Sequence, residues 1–217
     1  RMLRDQETLV LLGTKEKRQL LENLRQELGV QVNIPELSMP PHLIACNDAS
    51  YDMKKGTHRS PRRDDYFFSH LNLSAHEIGV GDGRHFERTI SLIFGGDPSY
   101  RQLLLEVIGV ISSGYQPKNI FVFIGVSNSG KSQLVNFLIS LLGDEMVMSI
   151  DRLQYLETQF AFGNLPGKKL CYCPDLPELP FGQKAVSQAK QLTGNDFLRG
   201  EKKYQQAFTF KNEATLL

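Results

Sequence analysis

The sequence has no apolar run that approaches the ~20 residues needed to span a bilayer, although 41% of its 217 residues are hydrophobic. Nothing at its N-terminus is typical of a targeting segment. Its three cysteines, Cys46, Cys171 and Cys173, make a poor disulfide framework, so we expect an intracellular, cytoplasmic protein without a membrane anchor. Cys171 and Cys173 are two apart in an apolar run, which in a strand places both thiols on one face, as in a packed core.

An excess of charge of one sign is also missing. The 25 basic and 24 acidic residues leave a formal net charge of +1. This balance argues against a chain that coats nucleic acid non-specifically, but it leaves room for a local basic patch. Residues 54–65 are such a patch and are predicted to form a polar loop, with a DNA contact as the alternative to a solvated surface. Its basic residues are Lys54, Lys55, Arg59, Arg62 and Arg63.

The N-terminal part combines helical and extended patterns. Leucines at helical spacing predict an amphipathic helix at 14–28, which Thr14 can cap and Gly29 can end. Short apolar runs predict strands around 43–46 and 66–73. We therefore expect a small mixed region over residues 1–80.

The later part of the chain has clearer periodicity. The pattern predicts two helices, one over roughly 84–94 and one from about 98 to 112, separated by the breaker sequence GGDPS. From about Lys118, apolar strands alternate with helices, which is typical of an α/β layer with a mainly parallel sheet. The predicted regions after the first are a helical region at 81–117 and an α/β core at 118–217.

The sequence GVSNSGKS matches the phosphate-loop pattern G-x-x-x-x-G-K-[ST]. It follows an uncharged apolar run at 120–124, which predicts a buried strand, and it precedes an apolar helical face. Glycines let successive backbone N–H groups point at phosphate oxygens, and the N-terminus of the following helix adds positive charge. The predicted ligands are ATP (or another nucleoside triphosphate) and magnesium. The predicted binding residues are Gly125, Val126, Ser127, Asn128, Ser129, Gly130, Lys131, Ser132 and Gln133.

A phosphate loop needs an acidic partner to hold magnesium. Asp175 follows the short apolar strand predicted at 170–173, so we expect it to hold the metal together with the Ser132 hydroxyl. No glutamate is adjacent to Asp175, and Glu178 comes three residues later. The identity of the carboxylate that activates water therefore stays open. Asp151 is a competing candidate, although SIDRLQ favours a helix N-cap. The predicted catalytic residues are Lys131, Asp175 and Glu178.

Other sequence signatures narrow the class of nucleotide-binding protein. The chain has neither the N-K-x-D sequence of GTPases nor the L-S-G-G-Q sequence of transporters. A small-molecule kinase would need an arginine-rich lid, and Arg152 is the only arginine between Gly143 and Gly167. A motor ATPase is therefore favoured.

Three segments together resemble the superfamily 3 helicases, and more closely the poxvirus-type and the phage and plasmid primase-helicases. They are GVSNSGKS, KKLCYCPD and KQLTGNDFLRGEKKYQQAFTF. Upstream, LIACNDASYDM is similar to the segment that precedes the motor, and FERTISLIFGGDPSYRQLLLEVIGVISSG is similar to the helical collar. The resemblance covers most of the chain from about Leu43.

The resemblance implies a P-loop NTPase of AAA+ type that assembles as a ring, usually a hexamer, around DNA during replication. The segment after QLTGND corresponds to a motif with DNA-facing basic residues, although the relatives commonly have an arginine where this chain has Glu201. We predict a polar hairpin with a turn at 194–196 that contacts single-stranded DNA. The alternative is an exposed hairpin without a ligand. The predicted DNA-binding residues are Lys190, Arg199, Lys202, Lys203 and Tyr204.

The sequence FTFKNEATLL resembles the strand that leads to the sensor asparagine of the family. We expect that asparagine and the arginine finger to lie beyond Leu217. The 217-residue chain is then expected to bind nucleotide, to hydrolyse it weakly and to form no stable ring by itself. The alternatives are a nucleotide-switched binding or assembly module with little turnover and, more weakly, a small-molecule kinase.

Overall fold

The computed structural model of the chain describes residues 42–65, 67, 70–176, 182–204 and 206–217. These residues belong to one unit, Ser38–Leu217. The helix predicted at 14–28 and the predicted catalytic residue Glu178 lie outside the described residues.

The first described element is an antiparallel sheet with the strand order β1-β2-β3. Its strands are Leu43–Ala45 (β1), Ser50–Asp52 (β2) and Thr57–Arg59 (β3). β1 confirms the strand predicted at 43–46. Phe67 and residues 70–73 are not in a strand, so the described part of the second predicted run does not form one.

The basic segment 54–65 was predicted to be a loop, but it also contains the strand β3. Asp52 accepts the backbone N–H groups of Lys54 and Lys55 at 3.0 and 3.1 Å, and this turn returns the chain to pair with β2. Arg59 donates two hydrogen bonds to the buried Asp65, at 2.8 and 2.5 Å. Those bonds lower the pKa of Asp65 to about 2, so Arg59 is held in a structural ion pair.

The two helices predicted in the middle of the chain are confirmed as α1 (Arg84–Phe94) and α2 (Pro98–Ser113). Gly95 ends α1 in the left-handed conformation, at φ +63°. Asp97 caps α2 by accepting the N–H of Ser99 at 2.8 Å, and Pro98 occupies the first turn, where its missing N–H costs nothing.

A parallel sheet forms the centre of the α/β part, as the alternating pattern predicted. It has the order β4-β5-β8, with strands Val147–Ser149 (β4), Leu170–Tyr172 (β5) and Thr215–Leu216 (β8). Two further helices, α3 (Lys131–Leu142) and α4 (Gln183–Thr193), complete the four α-helices of the described ranges.

Consecutive residues of β5 show that the sheet is covered on both faces. Leu170 packs in one apolar cluster with Ile111 of α2 and Leu138 of α3. Cys171 packs in another, with Leu192 of α4. Since successive strand side chains point to opposite faces, α3 and α4 cover opposite faces of the sheet.

The strand predicted at 120–124 does not form, and the prediction that this run is buried was also wrong. Ile120 forms an isolated parallel bridge with Leu216, and the Phe121 N–H donates to the Leu216 carbonyl at 3.0 Å. Beyond that point Val122 is half exposed and Ile124 is 91% exposed. An apolar run predicts extended chain, but its burial depends on which neighbours pair with it.

An antiparallel hairpin of β6 (Phe197–Gly200) and β7 (Phe208–Lys211) packs on the same cluster as α4, through Leu198 and Phe210. The turn predicted at 194–196 is therefore not the turn of this hairpin. It joins α4 to β6, with Asn195 at φ +63°, and residues 201–207 connect the two strands instead.

Candidate functional site

The segment 125–130 reverses the chain between the sheet edge and α3. Asn128 and Gly130 have φ values of +61° and +91°, and the Ser129 N–H donates to the Val126 carbonyl at 3.3 Å. A Cβ atom at Gly130 would lie 2.7 Å from Cγ1 of Ile93. Only glycine satisfies both the backbone conformation and this close approach.

The helix that follows the loop is fixed by its apolar face. Leu134, Leu138 and Leu142 recur every fourth residue and are all buried. Leu134 packs with Ile90 of α1 and Leu104 of α2. The N-terminus of α3, which begins at Lys131, is therefore held at the end of the loop.

The Lys131 ammonium group lies over this loop. Its Nζ donates to the carbonyl oxygens of Gly125 and Val126 at 2.9 and 2.8 Å, and to Oγ of Ser129 at 3.3 Å. A Cβ atom at Gly125 would lie 2.7 Å from the same Oγ. The loop thus curls tightly around a positive charge.

The loop opens onto a cavity of about 770 Å³ at the carboxyl edge of the parallel sheet. Lys131 and Ser132 form one wall, and Asp175, which is exposed just past the end of β5, forms another. In open α/β sheets, ligands bind at this edge. The structure therefore brings Gly125, Lys131, Ser132 and Asp175 to one cavity, whereas Val126–Gly130 and Gln133 are not on its described wall.

Asp151, the competing carboxylate, does not line this cavity. It is not a helix N-cap either, so that prediction was wrong. The helical turn Leu153–Glu157 begins after Arg152, and no side chain caps it. The Asp151 backbone carbonyl instead accepts a long contact, 3.9 Å, from the thiol of Cys173.

The two neighbouring cysteines share one side of β5, as their spacing predicted. Cys171 is buried, and Cys173 packs partly against the same cluster. Burial raises the pKa of Cys171 to about 12 and also raises that of Cys173. Cys173 donates to the Asp175 carbonyl at 3.2 Å and lines the cavity, a position that sequence reasoning missed.

The predicted DNA-binding residues fall into two places. Lys202, Lys203 and Tyr204 lie in the connection of the β6–β7 hairpin, where Tyr204 is 93% exposed and the Lys203 ammonium lies 5.1 Å from its ring centroid. Arg199 pairs with Glu201 at 3.2 Å. Lys190 is separate from this group, because it lines the cavity beside the loop 125–130.

Two negative findings concern the described residues alone. No three histidine, cysteine, aspartate or glutamate side chains among them are grouped to hold a metal ion. None of the helices in the described ranges combines the length and the apolar character that crossing a membrane requires.

Comparisons with known proteins place two family models on the chain. Residues 6–95 match a model described as "D5 N terminal like", and residues 123–217 match one described as "Family of unknown function (DUF5906)". No curated protein matches the chain.

The fold is also similar to two solved structures, "The A form apo structure of NrS-1 C terminal region-CTR" and "The apo structure of NrS-1 C terminal region (305-718)". Both are 16% identical to this chain, with TM-scores of 0.50 and 0.51. Each comparison covers 92% of this chain and 47% of the other, so the chain spans about half the length of these structures. At this identity the likeness shows a shared fold, and the match to the D5 N terminal like model covers less than half of the chain.

Proposed function

We propose that this chain is part of an ATP-dependent DNA helicase of the primase-helicase type, a replication motor that binds ATP and magnesium at the cavity beside residues 125–132. One observation carries the proposal. The loop lysine, the first hydroxyl of α3 and the carboxylate after β5 line the same cavity, namely Lys131, Ser132 and Asp175.

The residues present fit a triphosphate. Gly130 lets the backbone turn directly into α3, so that the first N–H groups of this helix face the loop. Lys131 would exchange the carbonyl oxygens of Gly125 and Val126 for phosphate oxygens, and its flexible stem permits this movement. The tight loop and the mobile cation are the features of a P-loop NTPase.

The residues also fit magnesium that is bound mainly through a nucleotide. Magnesium in such sites commonly takes one or two protein oxygens, with phosphate and water completing an octahedron. Ser132 and Asp175 are an appropriate pair, since both line the cavity. When bound, the metal would stabilise charge on the phosphates.

Ring assembly and DNA movement belong to the proposal by way of the family resemblance. We propose that the intact protein forms an AAA+ ring, a hexamer as in the relatives, in which a neighbouring subunit supplies the arginine that completes hydrolysis. The hairpin group at Arg199, Lys202, Lys203 and Tyr204 would contact single-stranded DNA through phosphate charges and one exposed ring.

A second function, a nucleotide-switched assembly module with little turnover, has one observation in its favour. Leu176 follows Asp175, so the position of an adjacent catalytic glutamate is apolar and exposed. DNA-stimulated ATP hydrolysis by the full-length protein would favour the motor. Tight binding with no stimulated turnover would favour the switch.

The proposal is tested by titrating the chain with a fluorescent ATP analogue and magnesium. Lys131→Ala removes charge-assisted bonds worth about 1.5–3 kcal/mol, so we expect a loss of affinity of about 10- to 100-fold. Lys54→Ala is the control, since Lys54 is an exposed lysine of the β2–β3 turn. Equal affinity of the wild type and Lys131→Ala would contradict the proposal.

The variant Asp175→Asn distinguishes the contribution of the metal to affinity from that of the phosphate contacts. The Asp175 side chain is exposed, so the variant protein should fold as the wild type does. We expect weaker binding of the analogue with magnesium and little change when the metal is removed with a chelator. Equal magnesium dependence in the variant and the wild type would exclude Asp175 as a metal ligand.

A further inference from the structure

Lys190 is the residue whose position departs most from the expectation drawn from the sequence. The resemblance groups it with the DNA-facing residues, yet it lines the same cavity as Lys131, Ser132 and Asp175. We infer that Lys190 is a second phosphate-binding cation of the nucleotide site and not a DNA contact. The inference rests on the proposed function.

The sequence of α4 explains how the lysine reaches this cavity. Ala185 and Ala189 are buried, and their small side chains let the helix approach the sheet closely. Val186 and Lys190 follow each of them by one residue, and all four line the cavity. Residues four apart lie on one helix face, so Lys190 extends an existing stripe of the wall.

The direction of approach matters for binding a triphosphate. The helices α3 and α4 cover opposite faces of the parallel sheet, so Lys131 and Lys190 reach its carboxyl edge from two sides. They are the two cationic side chains among the described residues that line the cavity. A flexible chain of anionic phosphates is held better by charges on two sides than by one.

The charge balance of the cavity wall also supports a phosphate-binding role for Lys190. Without Lys190, the charge of Lys131 is offset by that of Asp175, while a triphosphate with one magnesium ion keeps a net negative charge. Among the described residues, no carboxylate lies within 4.0 Å of the Lys190 ammonium. Within the described part of the chain, its charge is therefore available to a ligand.

Lysine in the last turn of a helix also interacts favourably with the helix dipole. That role predicts an effect on stability alone and none on nucleotide affinity. Lys184 offers a control on the same helix. It is exposed and absent from the cavity wall, and six residues of helix separate it from Lys190, which turns it about 120° away.

The test compares Lys190→Ala, Lys190→Arg and Lys184→Ala in the full chain. Affinity for the fluorescent ATP analogue with magnesium is measured beside affinity for a single-stranded oligonucleotide without nucleotide, and melting temperature checks the fold. We expect Lys190→Ala to weaken ATP binding about tenfold, Lys190→Arg to recover most of it, and DNA affinity to stay unchanged. Lys184→Ala should bind both ligands as the wild type does.

Two results would overturn the inference. A Lys190→Ala chain that keeps its ATP affinity but loses DNA affinity makes Lys190 a DNA contact, and one that keeps both makes it a structural charge. Lys131→Ala is included to separate the two proposals. If Lys131→Ala loses ATP binding and Lys190→Ala does not, the inference alone fails, whereas unchanged binding in both variants overturns the proposed function as well.

Discussion

The loop 125–130 and the β6–β7 hairpin present their charges in opposite ways. The loop closes around its lysine, whose Nζ contacts Gly125, Val126 and Ser129, and it borders an open cavity. The hairpin connection directs its groups outward, with Tyr204 93% exposed. A cation held by a loop beside a cavity suits a small anion of defined shape, whereas an exposed row of charges suits an extended polymer that slides.

The two regions also depend on glycine in different ways. At Gly130 the backbone is left-handed and Ile93 lies against the Cα atom. At Gly163 the conformation is ordinary, but a Cβ atom would overlap the backbone carbonyl oxygen of Glu201, at the start of the hairpin connection. Gly130 thus combines conformational strain with close packing. Gly163, which packs against the hairpin connection, has close packing alone.

Gly130→Ala is expected to have the largest effect. A non-glycine residue at φ +91° costs about 1–2 kcal/mol, and the overlap with Ile93 adds about 1–3 kcal/mol. We expect unfolding by denaturant to show a loss of about 2–5 kcal/mol. The remaining folded protein should bind the ATP analogue at least tenfold more weakly, because the N-terminus of α3 moves.

Two variants separate the causes. Gly167→Ala places alanine at φ +80° with nothing within 4 Å, so it should lose about 1–2 kcal/mol of stability but keep ATP affinity. Ile93→Ala in the Gly130→Ala background should restore part of the ATP affinity by removing the overlap. Identical behaviour of Gly130→Ala and Gly167→Ala would show that the contact with Ile93 does not shape the loop.

Gly163→Ala should have the next largest effect, and on the other region. A backbone carbonyl cannot rotate away as a side chain can, so the hairpin connection must shift, at a cost of about 1–3 kcal/mol. We expect weaker binding of single-stranded DNA and unchanged binding of the ATP analogue. Gly109→Ala is the control, because this exposed glycine in α2 has open space around it and alanine should stabilise the helix by about 0.5–1 kcal/mol.

Removing Lys202 and Lys203 together should affect DNA alone. Each lost contact to a single-strand phosphate lowers the dependence of log affinity on log salt by about 0.7, so the double alanine variant should lose about 1.4 from this slope. The affinity at moderate salt should fall on the order of tenfold. Fluorescence anisotropy over a series of salt concentrations measures both. An unchanged slope would place the DNA elsewhere.

Local signals in the sequence were sufficient for α1, α2 and the loop 125–130. Arg84–Phe94 and Pro98–Ser113 follow from apolar periodicity and from the glycine, aspartate and proline that bound them. The loop follows from the spacing of Gly125, Gly130 and Lys131. This pattern is typical of a tight turn that leads into a helix beginning with the lysine. These features depend on residues close together in the chain.

Features that depend on distant partners were not predictable in this way. The run at 120–124 is apolar, but its exposure follows from a pairing with β8 that ends after Phe121. Lys190 was predicted to face DNA, while its place on the cavity wall depends on how α4 packs against the sheet. The turn 194–196 was misassigned because glycine and asparagine also mark a helix end.

The smallest expected effect concerns Glu201, at the start of the hairpin connection. Its carboxylate accepts from Gln159 at 2.7 Å and pairs with Arg199 at 3.2 Å, and the Arg199 side chain is 74% exposed. Exposed ion pairs contribute little to stability, so Glu201→Gln should fold as the wild type does, and the new amide oxygen can still accept from Gln159.

Glu201→Gln removes one negative charge beside Lys202 and releases Arg199 from its pair. We expect affinity for single-stranded DNA to rise about two- to threefold at low salt, with a smaller gain at high salt because exposed charges are screened. ATP affinity should not change, since neither residue lines the cavity. Adding Arg199→Ala should cancel the gain. If it does not, the gain comes only from the lost negative charge, and Arg199 leaves the set of residues proposed to contact DNA.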